Sequence, residues 1–301
     1  MQKLSPRSPL FALFMSLVLP GFGQLYNGEI NKAIWLFLGF AFLSIPGVAL
    51  VALYLPDGWM MPALLLSLAA TLSLWLYGMF DAWHQAKRRR EYWSAHWQLS
   101  GVYLLVFMIC NALALPLLLD YVRNHQVESF RIPSGSMQPT LWPGDILFAD
   151  KRYNCGGCKY RIQRGDIAIF TYPNDRTLKY IKRVIALPGD QVQIQGKDVR
   201  VNGRPLSVPL AAVPLGETNE AVDHHRWRVI WGSSNGLVQP DVHLVVPPGQ
   251  VFVLGDNRSA TIDSRKIGTV PMQDVVGRAR QIWFSYGPEG VRWQRMGMLL
   301  E

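Results

Sequence analysis

The sequence predicts transmembrane α-helices at the N-terminus, followed by a mostly β domain of coiled antiparallel sheets. Long runs free of Asp, Glu, Lys and Arg occur only before about residue 120. The later sequence alternates short runs rich in β-branched and aromatic residues with Pro-Gly, Gly-Asp and Asn-Gly pairs, which is typical of strands and tight turns. This change in composition predicts a membrane domain at 1–121 and a β-rich domain at 122–301.

Three segments, 33–55, 58–80 and 99–119, are long enough to cross a bilayer, which requires about 20 apolar residues. Tryptophan and tyrosine near their ends fit the two membrane interfaces. A fourth uncharged stretch, 8–28, is interrupted by Pro20-Gly21-Phe22-Gly23-Gln24. It is either a short span or a segment that does not cross, so three and four spans both remain open.

Positive charges between the spans predict the orientation of the chain. The strongest cluster is Lys87-Arg88-Arg89-Arg90, and such clusters are retained on the cytoplasmic side. The next span then carries the chain outward. The β-rich domain is therefore expected to face away from the cytoplasm, whichever number of spans is correct.

Charge and cysteine content restrict the partners. The net charge of +9 fits solvated surface and cytosolic loops, or attraction to anionic lipid head groups. The sequence has no nucleic-acid recognition motif, so nucleic acid is not an expected partner. Cys155 and Cys158 form Cys-Gly-Gly-Cys without further zinc ligands nearby. A disulfide, two free thiols, and a metal or redox pair remain the alternatives for them.

Short strand-like runs recur through the second half, and no segment there has sustained helical periodicity. An insert at about 203–249, rich in Trp, Pro and Val, is expected to form a β excursion that presents some apolar surface near the bilayer. The predicted strands are 146–148, 166–172, 180–187, 192–201, 243–246 and 251–254.

Ser136 and Lys182 suggest a catalytic pair. Ser136 lies in a turn bounded by glycine and proline, and Lys182 lies in an apolar strand. A serine hydroxyl needs a base before it can act as a nucleophile. Lysine is such a base only when neutral, so burial must lower its pKa from about 10.4 to near 7–8.

Strand alternation supplies apolar neighbours for Lys182 and directs Arg183 to the other face. The competing interpretation is an ordinary turn serine and a surface Lys–Arg pair. The residues that share the face of Lys182 in an extended chain are Leu178, Tyr180, Val184 and Ala186.

Three sequence blocks resemble the bacterial type I signal peptidases, which are membrane-bound Ser–Lys endopeptidases. They occur in the order and spacing of that family and cover most of 130–271. The blocks are Phe130-Arg131-Ile132-Pro133-Ser134-Gly135-Ser136-Met137-Gln138-Pro139-Thr140-Leu141; Arg164-Gly165-Asp166-Ile167 through Tyr180-Ile181-Lys182-Arg183 to Gly189-Asp190; and Gly255-Asp256-Asn257-Arg258 followed by Asp263-Ser264-Arg265.

The resemblance implies a role for individual residues. Ser136 would be the nucleophile, Lys182 the general base, and the Ser134 hydroxyl would donate to the oxyanion together with the Ser136 backbone N–H. Asp263 and Arg265 would form an ion pair that holds the third block. Gly255 would allow close backbone approach near the lysine, and shallow apolar pockets for the substrate would be lined by Phe130, Ile132, Pro133 and Ile181.

One position departs from the family pattern. The family usually places a serine between the two parts of the third block, where it hydrogen-bonds the lysine amine. The corresponding residue here is Thr261, which keeps the hydroxyl and adds a methyl group. We expect Thr261 to orient Lys182, with Ser259 as the nearest alternative.

The resemblance implies a signal peptidase I in the bacterial inner membrane, multi-pass, with its catalytic domain on the periplasmic side. Its partners would be the lipid bilayer and exported preproteins with small residues at −1 and −3. No metal or organic cofactor is implied. A specialised relative that processes a pilin- or conjugation-type substrate and a non-catalytic membrane scaffold remain as alternatives.

Overall fold

The structure is a computed structural model that describes residues 2–4, 7–55, 59–88, 92–94, 102–153, 160–208, 214, 216–232 and 239–300. The chain forms two compact units that divide between Asn124 and His125. The first unit is helical and the second is built from antiparallel strands. The predicted fold class, N-terminal apolar helices followed by a mostly β domain of coiled antiparallel sheets, is confirmed.

The helical unit contains seven α-helices among its described residues, together with the short antiparallel pair β1 (Gln2–Leu4) and β2 (Tyr92–Ser94). A π-helical turn, Cys110–Ala114, joins the last two helices. The helices are α1 (Pro9–Val18), α2 (Phe22–Tyr26), α3 (Ile30–Ser44), α4 (Pro46–Tyr54), α5 (Met60–Arg88), α6 (Val102–Ile109) and α7 (Leu115–His125).

In the part of the chain that the structure describes, two helical stretches are long and apolar enough to cross a membrane, Ile30–Tyr54 and Met60–Arg88. The segment predicted at 8–28 forms the two short helices α1 and α2. The ten residues of α1 rise only about 15 Å, half the thickness of a hydrocarbon core. The predicted span 99–119 begins outside the described residues, and from Val102 to His125 the backbone is helical.

The Pro-Gly-Phe-Gly-Gln sequence joins α1 to the rest of the helical unit. A Cβ on Gly23 would lie 2.2 Å from the Ala12 carbonyl oxygen, so only glycine allows this approach. Gln24 is fully buried and its amide donates to the carbonyl oxygen of Gly78 at 2.7 Å and to Asp81 at 3.0 Å. The motif is therefore a packing joint between helices.

The second unit is organised around one antiparallel sheet, whose strands are β3 (Val127–Arg131), β4 (Asp145–Asp150), β5 (Ile167–Thr171), β6 (Lys179–Ala186), β13 (Gln250–Leu254), β14 (Val270–Pro271), β15 (Val275–Gly287) and β16 (Gly290–Val291). Their order in the sheet is β14-β13-β6-β5-β15-β4-β3, with β16 paired to the end of β15.

β15 makes the sheet coil because it pairs with two neighbours in succession. Its first residues pair with β5, and from Arg278 to Ser285 it pairs with β4. Three register shifts interrupt this long strand, and such bulges bend a strand and increase its twist.

The remaining strands of this unit are β7 (Gln191–Gln195), β8 (Asp198–Val201), β9 (Arg204–Pro205), β10 (Glu217–Val222), β11 (His225–Ile230) and β12 (Val242–Val245). Four of them form a second sheet in the order β12-β7-β8-β9, and β10 and β11 form a separate hairpin. One short helix, α8 (Ser264–Ile267), precedes β14.

The strand predictions need two corrections. The run predicted at 192–201 is two strands, because Gly196 takes a positive φ and turns the chain. β3, β10, β11 and β15 were not predicted, since polar side chains such as the fully buried Gln281 obscure their alternation. The insert forms strands that also contribute to the core, since Trp227 and Val229 pack beside Phe252, whereas Val245 is exposed.

Candidate active site

A tight turn after β3 presents Ser136. Two large side chains that follow the serine, Met137 and Leu141, are buried in the core beneath the main sheet. The backbone N–H of Asn257 donates to the carbonyl oxygen of Ser136 at 3.2 Å, and its side-chain amide donates to that of Gly135 at 3.1 Å. The serine backbone is thus fixed both by the core and by the loop after β13.

β6 presents Lys182 from the middle of the main sheet, where it is the register partner of Ala168 on β5. Only 4% of the residue is exposed. The Tyr180 ring, on the same face of the strand, lies 5.5 Å from the ammonium nitrogen. The surface position considered as an alternative for Lys182 is therefore wrong.

The structure brings Ser136 and Lys182 together, although 46 residues separate them in sequence. Lys182 Nζ lies 3.0 Å from Ser136 Oγ and 3.0 Å from the carbonyl oxygen of Ile181. The first distance permits direct proton transfer between hydroxyl and amine. The second contact fixes the amine in place.

Burial lowers the pKa of Lys182 from 10.5 to about 8, while the more distant carboxylates of Asp263 and Asp256 oppose this shift. Desolvation disfavours the charged ammonium, and no carboxylate among the described residues is close enough to pair with it. The amine is therefore substantially neutral at mildly alkaline pH and has a lone pair for the serine proton.

Ser134 lies next to the reacting hydroxyl. Its Oγ donates to Ser136 Oγ at 3.3 Å, and the residue is exposed to solvent. A serine hydroxyl rotates freely, so the same group can donate instead to an oxygen bound beside Ser136.

The third sequence block packs behind the serine and the lysine. A Cβ on Gly255 would lie 2.6 Å from the Ser136 carbonyl oxygen, so this position requires glycine. The Gly255 N–H donates to Asp263 at 3.0 Å. Asp263 and Arg265 form a buried bidentate ion pair with contacts of 2.9 and 2.8 Å, and Asp263 also caps α8.

Thr261 lies beside the pair without the expected hydrogen bond. It is 2% exposed, and its Oγ1 has no hydrogen-bond partner in the described part of the chain. The hydroxyl is turned toward Gly255, whereas the lysine amine bonds to Ile181 and Ser136. Ser259, the alternative, is 8% exposed. A role for Thr261 in orienting Lys182 stays a prediction.

An open groove of about 550 Å³ passes over Ser136 and Lys182. Its apolar wall includes all four residues predicted to line substrate pockets: Phe130, Ile132, Pro133 and Ile181. Ser134, Ser136, Lys182 and Thr261 also line it. Polar and apolar groups therefore line the same open groove, as is common in ligand-binding sites.

Sequence reasoning missed the buried network beside Ser136 and Lys182. Arg183 is fully buried and forms a bidentate ion pair with Asp256 at 2.9 and 2.7 Å. Thr140, from the serine turn, donates to the same carboxylate at 2.5 Å. The sequence offered one signal for this ion pair: Arg183 lies in an apolar strand, where a buried charge needs a partner, and Asp256 lies in the third block.

A second missed pair joins the insert to this region. Glu220, on β10, binds the guanidinium of Arg258 in a bidentate, fully buried contact. Arg258 also donates to the carbonyl oxygen of Gly255 at 3.1 Å, and its own carbonyl accepts from Arg265 at 2.7 Å. The insert therefore supports the loop that carries Gly255.

Cys155 and Cys158 lie within 154–159, outside the described residues, so their state stays open. Arg89 and Arg90 of the basic cluster also lie outside the described residues.

Comparison with known proteins identifies a clear similarity. The family model described as signal peptidase, peptidase S26, matches residues 102–284. The chain is 31% identical over 212 residues to a signal peptidase I of Rickettsia typhi, covering 60% of this chain and 77% of that protein. It is 32% identical over 193 residues to a signal peptidase I of Pseudomonas aeruginosa, covering 55% and 67%. A crystal structure of a signal peptidase I from Enterococcus faecalis aligns with 28% identity and a TM-score of 0.26, over 39% of this chain and 95% of that one.

Proposed function

Because this chain belongs to the signal peptidase family, peptidase S26, we propose that it cleaves N-terminal signal peptides from exported preproteins with Ser136 as nucleophile and Lys182 as general base. Membership in the family makes it a serine endopeptidase. The observation that carries the assignment of both residues is the 3.0 Å between Ser136 Oγ and Lys182 Nζ beside an open groove.

The reaction follows from this geometry. Neutral Lys182 takes the proton of Ser136 as Oγ attacks the scissile carbonyl carbon. The Ser134 hydroxyl and the Ser136 backbone N–H stabilise the oxyanion. The Lys182 ammonium then gives its proton to the departing amine, and an acyl-enzyme remains. Lys182 activates a water that hydrolyses this ester and frees Ser136.

The apolar wall of the groove supports a preference for small residues at −1 and −3. In an extended substrate these two side chains point to the same side. Phe130, Ile132, Pro133 and Ile181 form a shallow surface there, and longer side chains would lift the scissile bond away from Ser136.

The chain is associated with a membrane, as its apolar N-terminal helices and its relatives indicate. We place it as a multi-pass protein in the bacterial inner membrane with the peptidase domain on the periplasmic side. The basic residues at the end of α5 support a cytoplasmic location for that end. We keep the domains at 1–121 and 122–301 as part of this proposal, and the division of the chain between Asn124 and His125 supports it.

The test is cleavage of a radiolabelled preprotein by the purified full-length chain in detergent, followed by N-terminal sequencing of the product. Wild type should cut once, after a small residue. Ser136→Ala and Lys182→Ala should each lower kcat/KM at least about a thousandfold, while Ser129→Ala and Lys197→Ala, at exposed positions, should not. Unchanged cleavage by either dyad variant would contradict the proposal.

A further inference from the structure

The groove beside Ser136 carries positive charge without carboxylates. Arg131, Lys179 and Lys182 line it, and no aspartate or glutamate does so in the described part of the chain. Lys182 reacts as a neutral amine, which leaves Arg131 and Lys179 as the permanent charges. The apolar pockets for small residues explain neither of them.

Arg131 lies on β3, the edge strand of the main sheet, between the two pocket residues Phe130 and Ile132. It is exposed, and no carboxylate among the described residues forms an ion pair with it. Strand alternation places its side chain on the opposite face of β3 from Phe130 and Ile132. An extended substrate alongside β3 alternates in the same way.

Lys179 extends the positive charge along β6, two residues before the pocket residue Ile181. Its Nζ lies 5.0 Å from the centre of the Phe130 ring, and its side chain is 41% exposed. Glu128 is 3.6 Å away, but Lys151 binds the same carboxylate at 2.9 Å. One carboxylate therefore serves two ammonium groups, and a net positive charge remains.

We propose that this groove selects substrates with an acidic side chain just upstream of the cleavage junction, between −2 and −5 and outside the small-residue positions −1 and −3. The inference rests on the proposed function and refines its substrate class. Side chains at −2 and −4 would lie on the face of Arg131, since −1 and −3 lie on the face of Phe130 and Ile132. A side chain at −5 would lie, by the same alternation, on the face of Phe130, whose ring centre is 5.0 Å from Lys179 Nζ.

The test uses the full-length protein in detergent and peptide substrates that share one cleavage junction with small residues at −1 and −3. Three pairs carry Glu or Gln at −2, −4 or −5. In at least one pair, wild type should cleave the Glu peptide about three- to fivefold faster in kcat/KM, the size of a partly exposed ion pair. The preference should shrink in about 0.5 M salt, which screens exposed charges.

Variants of the basic residues test which side chains cause the preference for the Glu peptide. Arg131→Gln together with Lys179→Gln should abolish the Glu preference. Arg131→Glu should reverse the preference, so that a further peptide with Lys at the same position is cleaved faster than the Glu peptide. Lys197→Gln removes an exposed positive charge away from the groove and should leave the preference unchanged.

The outcomes separate this inference from the proposed function. Equal cleavage of Glu and Gln peptides at all three positions would overturn the selectivity and leave the peptidase assignment intact. A preference that survives the double variant would overturn the roles of Arg131 and Lys179. Failure to cleave any peptide or preprotein would overturn the proposed function, and the selectivity with it.

Discussion

Lys182 and Arg183 are neighbouring cations on one strand, and both are buried, yet only Arg183 has a carboxylate at ion-pair distance among the described residues. Strand alternation sends the two side chains to opposite faces of β6. Arg183 forms an ion pair with Asp256, whereas Lys182 lies beside the Ser136 hydroxyl and an apolar surface. The strand thus separates an arginine held in a buried ion pair from a lysine whose pKa is lowered by burial.

Removing the charge of Asp256 should destabilise the protein strongly. Asp256→Asn leaves Arg183 buried without its counter-charge, a change that costs about 3–5 kcal/mol of unfolding free energy. The matched control is Asp198→Asn, which breaks an exposed pair with Arg200 and should cost less than about 1 kcal/mol. Denaturant unfolding of both variants measures the difference, and equal losses would contradict the role of this buried pair.

Glu220 and Glu217 on β10 allow a buried and a more exposed ion pair to be compared within one strand. Glu220→Gln should cost about 3–5 kcal/mol because Arg258 stays buried with no carboxylate partner. It should also lower activity, since Arg258 supports Gly255. Glu217→Gln, on the same strand, breaks a more exposed contact with Arg228 and should have little effect on either property. Full activity in a destabilised Glu220→Gln protein would refute the link from the insert to the site.

Gly255→Ala should impair catalysis more than stability. The added methyl would lie 2.5 Å from Thr261 Oγ1 and 2.6 Å from the Ser136 carbonyl oxygen, so the serine backbone must shift. A misplacement of about 1 Å costs roughly a hundredfold in rate, while overpacking costs about 1–3 kcal/mol. Steady-state kinetics of this variant measure the loss of rate, and thermal unfolding measures the loss of stability. Gly232→Ala, where an added Cβ would meet only the Ile230 side chain at an ordinary 3.8 Å, is the control for a general effect of glycine replacement. Wild-type kcat for Gly255→Ala would show that the close contact is not needed.

Ser134→Ala should lower kcat with little change in KM, because its hydroxyl is assigned to the oxyanion and not to substrate binding. Loss of one such donor costs about 10²–10³-fold. Ser134→Thr keeps the hydroxyl and should recover a large part of the activity. Equal loss in both variants would point to packing of the turn as the cause.

Part of the candidate site could be predicted from the sequence because single residues in it are marked by local patterns. Glycine and proline mark the serine turn, and strand alternation explains the burial of Lys182. The partners of buried charges were less predictable, since Arg183 and Asp256 are 73 residues apart. Glu220 lies in an insert whose pairing depends on tertiary packing. For the same reason, the position of Thr261 in the third block could not predict the direction in which its hydroxyl points.

The account depends most directly on Lys182 acting as a neutral base. The decisive measurement is kcat/KM of the wild-type protein against pH, with folding monitored at each point. A lysine whose pKa is lowered is inactive while protonated, so activity should rise with pH along an acidic limb centred near pH 8, the pKa that burial gives Lys182. A profile that is flat from about pH 6 to 10, or a midpoint near the ordinary lysine value of 10.5, would contradict it.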